Sequence, residues 1–242
     1  MGLAGDNGHF VGVHLPFAEI WMVDFEFVAG GGERPRPSCM VAEEYWSGRQ
    51  IRLWEDELRQ LNAAPFNTGS NSCMIAYFAS AELGCFRALG WPLPANTMDL
   101  FAEHRVKTNG TRLPHGNGLL GAARRYGIDT MGAEEKETMR ELILSGGPWS
   151  ADQRAAILDY CASDVELLRP LLDAMAPELA LTQQRLGHAV WRGRYMGAVA
   201  TMEHNGVPID TDTLKAINAA WLDIQDDLIA EVDAAYGVYE GR

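Results

Sequence analysis

The sequence lacks any uninterrupted apolar segment of the roughly 20 residues that a membrane-spanning helix requires. Its longest apolar stretch, from Ile20 to Val28, is interrupted by two acidic residues. The N-terminus also lacks the basic region and apolar stretch of a secretory signal, and it carries Asp6 and His9 instead. We therefore expect a cytoplasmic location and no membrane partner.

Cysteine is scarce, with four residues in a chain of 242. None of them has the CxxC spacing that is typical of zinc sites and redox pairs. Each lies in an apolar segment, where isolated cysteines usually behave as reduced core residues. We therefore expect neither a disulfide framework nor a zinc site at Cys39, Cys73, Cys85 and Cys161.

Positive charge is also in short supply. Lysine and arginine number 20 against 33 acidic residues, which gives a formal net charge of −13. Strong nonspecific binding to nucleic acid depends on basic residues that displace counterions from phosphates, so this composition argues against it. An acidic chain that acts on nucleic acid would need bound divalent cations or a basic partner domain.

The hydrophobic pattern predicts a sheet followed by helices. Segments rich in β-branched and aromatic residues come first, and the first three suggest an antiparallel meander. Helical patterns follow, and the longest begins with the capping box Ser150-Ala-Asp-Gln153. The predicted strands are 20–28, 38–43, 50–54, 73–76 and 96–100, and the predicted helices are 80–89, 119–126, 134–144 and 150–175.

This order of elements predicts an α/β or α+β sheet domain. The length and the 47% hydrophobic content allow one good core and the beginning of a second domain. After Pro177 only helices are expected, with a break at 205–208. We therefore predict a sheet domain over 1–176 and a separate helical segment over 177–242.

Two carboxylates lie in the first predicted strand. Asp24 and Glu26 are two residues apart, so their side chains project from the same face. Burying both unpaired in so apolar a segment would cost several kcal/mol, and a bound metal would remove that cost. Two divalent ions about 4 Å apart, held by three or four carboxylates, can hydrolyse a phosphodiester. The alternative is a strand whose polar face meets water.

A second pair lies in the longest predicted helix. Tyr160 and Asp164 are four residues apart and share one helical face. The carboxylate could bind a metal while the phenol holds the attacking water. Taken alone, the pair also fits an ordinary amphipathic helix.

Together, Asp24-x-Glu26 and Tyr160-x-x-x-Asp164 resemble the first and third motifs of the DEDD exonuclease superfamily. The tyrosine subtype fits, because the histidine subtype would have histidine where this chain has Asp159. The resemblance implies a ribonuclease H-like fold, an α/β mixed five-stranded sheet with flanking helices, and 3′→5′ exonuclease activity.

The middle motif departs from the family pattern. The family has a metal-binding aspartate where this chain has Glu82, and its usual asparagine falls near Phe78. Glu82 can still reach a metal through one more methylene, so the resemblance implies it as a ligand with Asp24, Glu26 and Asp164. Asp99 follows the next strand and is the alternative, either as a ligand or as a residue that supports the ligands.

The resemblance also implies a mechanism with two Mg²⁺ or Mn²⁺ ions. One ion would lie between Asp24, Glu26 and Asp164, and Tyr160 would orient the attacking water. The second ion would be held mainly by Asp24, with Glu82 reaching it through water. The product would be a nucleoside 5′-monophosphate. Candidates for stacking on terminal bases are Phe78, Tyr77 and Trp149, and candidates for phosphate contact are Arg124, Arg125, Arg192 and Arg194.

The segment from Arg194 to Asp210 resembles the step from exonuclease to thumb in family A DNA polymerases, although the sequence contains no polymerase palm motif. The resemblance implies a proofreading domain that acts on single-stranded or frayed DNA 3′ ends, with a polymerase domain in cis or in trans. One alternative is an RNase D-like or oligoribonuclease-like enzyme that degrades RNA. Another is a catalytically degenerate DNA-binding or structural domain, which the glutamate at position 82 would favour.

Overall fold

The computed structural model of the chain describes residues 15–30, 32–130, 133–179 and 183–240. The prediction about a secretory signal concerns residues outside these ranges. Among the described helices, none combines the length and the apolar character that crossing a bilayer requires. The chain divides into two compact units, Met1–Asn205 and Gly206–Arg242, and the domain boundary after residue 176 stays a prediction.

Five strands and nine helices are found in the described parts of the chain. The strands are β1 (Glu19–Val28), β2 (Arg36–Glu44), β3 (Gln50–Trp54), β4 (Ser72–Ala76) and β5 (Thr97–Asp99). The helices are α1 (Glu55–Leu58), α2 (Ser80–Ala88), α3 (Leu100–Thr108), α4 (Leu119–Arg125), α5 (Ala133–Leu144), α6 (Ala151–Leu179), α7 (Gln183–Asn205), α8 (Thr211–Ala219) and α9 (Trp221–Tyr236).

The strands form one mixed sheet in the order β3-β2-β1-β4-β5. The first three strands pair antiparallel, as the meander predicted, while β4 and β5 pair parallel. Strand β1 is therefore central, with β2 on one side and β4 on the other. The sheet confirms the predicted α/β, ribonuclease H-like architecture with flanking helices.

Alternation along β1 divides the core into two layers. Ile20 and Met22 belong to the layer that α6 covers, whereas Trp21, Val23 and Phe25 belong to the layer that contains residues of α2. Helices α5 and α6 pack against β1 on the first side, and α2 packs against β1 and α7 on the second. Asp24 and Glu26, which continue the alternation of Ile20 and Met22, therefore face α6.

Several predicted elements need correction. The fifth strand ends at Asp99, because the Asp99 carboxylate accepts the backbone N–H of Phe101 at 2.9 Å and caps helix α3, which was not predicted. Helix α1 was also missed, and α6 continues past its predicted end to Leu179. The capping box before α6 is confirmed, because Ser150 and Gln153 exchange side-chain to backbone hydrogen bonds of 2.9 and 3.2 Å.

The second unit consists of two helices. Asp210 caps α8 by accepting the backbone N–H groups of Asp212 and Thr213. Among the described residues of this unit, neither α8 nor α9 has a buried side chain. This unit therefore has little hydrophobic core of its own.

Candidate metal centre and active site

Three carboxylates converge between strand β1 and helix α6. Asp24 and Glu26 project towards α6 because they share the parity of the layer that this helix covers. Asp164 lies on α6 and is only 8% exposed. One oxygen of each carboxylate lies within 4.8 Å of the others, and this is the one such group that the described residues contain. The structure thus brings together three of the four predicted ligands.

The three carboxylates are suited to a hard divalent cation. Burial, followed by the charge of Asp164, raises the pKa of Asp24 from 3.8 to about 8. Burial and the charge of Asp24 raise the pKa of Glu26 well above its ordinary value. Carboxylates that raise one another's pKa lie where a positive charge is most favourable, and oxygen ligands are those that Mg²⁺ and Mn²⁺ prefer.

The thiol of Cys161 fixes the orientation of Asp24. Its Sγ lies 3.4 Å from the backbone oxygen of Asp24 and 3.3 Å from Oδ2, and it can donate to either. All four cysteines are free and buried, which confirms the expectation of reduced core thiols. The thiol contact holds the Asp24 carboxylate in place without adding charge to the site.

Tyr160 lies one helical turn before Asp164. Its ring is 6% exposed, and burial together with the charge of Asp164 raises the pKa of its phenol far above the usual range. The hydroxyl therefore keeps its proton at neutral pH. It can donate or accept a hydrogen bond beside the carboxylates, as the helical spacing predicted.

Lys136 of helix α5 was not predicted at this site. Its ammonium nitrogen donates to Oδ1 and Oδ2 of Asp164 at 2.9 and 2.6 Å. It also lies 5.4 Å from the centroid of the Tyr160 ring. The hydrophobic pattern predicts a helix in this region, but nothing local indicates which residue of that helix reaches a carboxylate 28 positions away.

Glu82 lies outside the group of three ligands. It is buried at the start of α2, and its Oε2 has no hydrogen-bond partner among the described residues. Burial and the charge of Asp24 raise the pKa of Glu82 well above its ordinary value. Glu82 is therefore an electrostatic neighbour of Asp24, and its role as a ligand stays a prediction.

Asp99, the alternative to Glu82, has a structural task. Its Oδ1 accepts the backbone N–H groups of Phe78 and Phe101, each at 2.9 Å. One carboxylate oxygen thereby joins the turn after β4 to the first turn of α3. Oδ2 has no partner in the described part of the chain, so a further role near the site stays a prediction.

The predicted aromatic contacts have different environments. Phe78 is 50% exposed and has a positive φ of 75°. Tyr77 is half-buried, and its hydroxyl donates to the backbone oxygen of Asn117. The proposal that Trp149 stacks on bases is wrong, because its ring is 8% exposed and packs edge-on against Trp54.

The basic candidates also separate into two kinds. Arg124 and Arg125 are exposed at the end of α4. Arg192 instead binds both oxygens of the buried Glu103 at 2.6 and 2.7 Å, and Arg194 donates to the backbone oxygen of Ala95 at 3.1 Å. Arg192 and Arg194, both on α7, are therefore engaged in the fold.

A groove of about 420 Å³ is lined by residues that neighbour Glu26 and Glu82 in the sequence. Phe27, one residue after Glu26, lines one side, and Ser80 and Ala81, just before Glu82, line another. Phe78 and Arg34 also line it. The groove therefore offers an aromatic face and a guanidinium beside two of the elements that carry carboxylates.

The fold and the site define an α/β sheet of ribonuclease H-like architecture with three convergent carboxylates. No family model and no curated protein matches the sequence. Among solved structures, one titled as the apo form of a nuclease aligns with a TM-score of 0.55 and 17% identity, over 80% of this chain and 90% of that one. This likeness shows that the fold is shared with a nuclease.

Two further structures align less well. RNase D of Escherichia coli, an exoribonuclease involved in structured RNA processing, has a TM-score of 0.49 and 16% identity, over 84% of this chain and 49% of that one. The Nibbler EXO domain of Aedes aegypti has a TM-score of 0.34 and 10% identity, over 68% and 80%.

Mg²⁺ is expected to raise the melting temperature more at about pH 8.5 than at about pH 6. The pKa of Asp24 is 3.8 in the unfolded chain and about 8 in the folded chain. The proton on Asp24 therefore stabilises the folded chain fully below pH 3.8, and this stabilisation is lost as the pH rises through about 8. Metal binding needs the charged carboxylate and therefore strengthens over the same interval. Differential scanning fluorimetry with Mg²⁺ and with EDTA measures the two shifts, and equal shifts at both pH values would contradict this account.

Proposed function

We propose that this chain is a metal-dependent 3′→5′ exonuclease of the DEDD type that releases nucleoside 5′-monophosphates from DNA 3′ ends. The observation that supports this most is the convergence of Asp24, Glu26 and Asp164, with Tyr160 beside them, on a ribonuclease H-like sheet. A binding module would have no need of costly carboxylates packed so closely together. This weighs against the degenerate alternative.

In the proposed mechanism, Asp24, Glu26 and Asp164 would hold two ions of Mg²⁺ or Mn²⁺. The ions would lower the pKa of a bound water, and their positive charge would neutralise the phosphate and the leaving oxygen. Glu82 is the proposed fourth carboxylate. The charge of Asp24 acts on Glu82, whose buried, unpartnered oxygen has reason to bind a cation or a water.

Tyr160 orients the attacking water in this mechanism. Its phenol keeps its proton, because burial and the nearby carboxylates oppose ionisation. It can therefore act as a hydrogen-bond partner that fixes the direction of the water lone pair without adding negative charge beside the phosphate. The central strand β1 and helix α6 hold the three carboxylates and Tyr160 on rigid elements.

Phe78 is the proposed contact for a terminal base. An aromatic residue with positive φ is strained, and such strain tends to occur at functional sites. The exposed ring lines the groove beside Phe27 and Arg34, where a base could stack. Arg124 and Arg125 remain proposed phosphate contacts, and Tyr77 would support Phe78 more than it would contact bases.

Replacing Phe78 by asparagine is expected to raise KM for a short oligonucleotide roughly 5- to 150-fold and to leave kcat nearly unchanged, because base stacking contributes about 1–3 kcal/mol of binding. Asparagine tolerates positive φ, so the turn should be retained. Steady-state kinetics on a single-stranded substrate measure both constants. Phe78→Tyr, which keeps the ring, is the control and should resemble the parent. An unchanged KM in Phe78→Asn would exclude Phe78 from the substrate site.

The proposed substrate class rests on the segment between Arg194 and Asp210. This segment resembles the one that leads into the thumb of family A polymerases. That resemblance favours DNA, single-stranded or frayed, and a polymerase domain as partner in cis or in trans. It also supports the proposal that the helical segment over 177–242 is thumb-like. RNA is the alternative substrate.

The experiment that tests the proposal follows degradation of 5′-labelled single-stranded DNA and of an RNA of the same sequence, with Mg²⁺, Mn²⁺ or EDTA. A ladder that shortens from the 3′ end, needs metal and appears with DNA supports the proposal. A ladder with RNA alone would transfer the function to the RNA exonuclease. Absence of cleavage of either polymer with both metals would support the degenerate domain.

A further inference from the structure

The ammonium of Lys136 lies at the metal centre itself. Lys136 Nζ is 2.6 and 2.9 Å from the two oxygens of Asp164, and one Asp164 oxygen lies within 4.8 Å of oxygens from Asp24 and Glu26. A cation that bound Asp164 through both oxygens would need the space that this ammonium fills. Lysine and a divalent ion therefore compete for the same carboxylate.

The charges near the centre support this competition. When all three carboxylates are ionised, as metal binding requires, they and Lys136 together carry two net negative charges, which is the amount that one divalent ion neutralises. A second divalent ion beside the ammonium would be repelled by it, since charges a few ångströms apart in a partly buried site are poorly screened. Lys136 is 27% exposed on its side chain, so its long stem can move towards solvent and leave Asp164.

We propose that Lys136 is an internal cation of the site that takes the place of one of the two divalent ions in the free protein. The free protein then binds one divalent ion, and a second enters only when Lys136 leaves Asp164. The inference rests on the proposed metal-dependent function and assigns to this chain a residue that sets how many ions the site holds. The ring of Tyr160, 5.4 Å from the ammonium, keeps Lys136 beside the residue proposed to orient water.

Titration of the free protein with Mn²⁺ alone, followed by calorimetry, tests the proposal. The parent chain and Lys136→Arg, which keeps the positive charge, are expected to bind one ion. Lys136→Met, which removes the charge and keeps most of the stem, is expected to bind two ions, the first of them roughly tenfold more tightly or better. Lys136→Gln is a second neutral variant, and circular dichroism verifies the fold of each.

Lys215→Met is the matched control. Lys215 is exposed in α8, where it pairs with Asp212, and its removal changes the net charge of the chain by the same amount without removing the contact with Asp164. It should bind Mn²⁺ like the parent. Two equally tight ions in the parent, or Mn²⁺ binding by Lys136→Met and Lys136→Gln that matches the parent, would overturn the proposal.

A parallel cleavage assay separates this proposal from the proposed function. If the parent degrades DNA and the neutral Lys136 variants bind Mn²⁺ as the parent does, the exonuclease stands and the role of Lys136 is refuted. If the parent cleaves nothing while the neutral variants bind more Mn²⁺, the role of Lys136 is supported and the exonuclease is refuted.

Discussion

Asp24→Asn is expected to reduce 3′-end degradation by about a thousandfold or more and to stabilise the metal-free protein at alkaline pH. Asp24 contributes an oxygen to the group of three carboxylates, and a metal contributes several kcal/mol of charge stabilisation in the transition state, which corresponds to about three powers of ten or more in rate. An amide carries no charge and binds Mg²⁺ or Mn²⁺ much more weakly.

The gain in stability has a separate cause. The pKa of Asp24 is raised to about 8, so above that pH the folded chain must hold a buried negative charge beside Asp164 and Glu26. Asparagine removes this repulsion, and its amide oxygen can still accept from the Cys161 thiol as Asp24 does. A substitution that lowers activity and raises stability is typical of a position whose residue serves function at a cost in folding stability.

The measurement pairs an initial rate on labelled DNA with a melting temperature in EDTA at about pH 9. Asp129→Asn, an exposed carboxylate removed at the surface, is the control and should change neither quantity appreciably. An Asp24→Asn protein that keeps more than about a tenth of the parental rate would show that the carboxylate centre is not the active site.

The parts of the site that sequence could predict depend on local periodicity. A period of two places Asp24 and Glu26 on one face of a strand, and a period of 3.6 places Tyr160 and Asp164 on one face of a helix. These two patterns are rigid once the strand and the helix form. The two faces meet because α6 covers the side of β1 that carries Ile20 and Met22, and Asp24 and Glu26 project from that same side.

The parts that sequence could not predict depend on contacts between distant segments. Lys136 reaches Asp164 because α5 packs beside α6, and no pattern within α5 distinguishes this lysine from an exposed one. Trp149 reads as an exposed aromatic after a loop, yet Trp54, almost a hundred residues earlier, covers its ring. Glu82 lies near Asp24 because α2 packs on β1, but its distance from the other ligands depends on the backbone of the turn at Phe78.

The missed helix α3 shows a different limit. Leu100 is apolar and directly follows the three residues of β5, so the predicted strand 96–100 includes it. The competing signal is Asp99, a good N-cap residue, with Asn109-Gly110 as a stop that begins ten residues later. The chain begins a helix after Asp99 and does not continue as a strand, because a strand of three residues has few backbone hydrogen bonds to hold further residues in the sheet.

Gly193→Ala is expected to destabilise the protein by about 3 kcal/mol or more. Helix α7 crosses β5 so closely that a Cβ at position 193 would lie less than 3.0 Å from the carbonyl oxygen and the carbonyl carbon of Thr97. Both are backbone atoms of a paired strand and cannot move aside as a side chain would. Because β5 ends at Asp99, whose carboxylate holds the turn at Phe78, separation of α7 from β5 should also disturb the groove.

Gly197→Ala, one turn further along α7, is the matched control. Its Cβ would meet Cδ1 of Leu93 at 3.4 Å, which is an ordinary contact, and alanine improves helix propensity by about 1 kcal/mol. Urea unfolding should therefore give a lower midpoint for Gly193→Ala and an equal or higher midpoint for Gly197→Ala. Equal midpoints in the two variants would mean that α7 does not lie against β5 in solution. The opposite responses of two glycines in one helix would place the backbone contact at position 193 and tie the stability of α7 to the strand that supports the site.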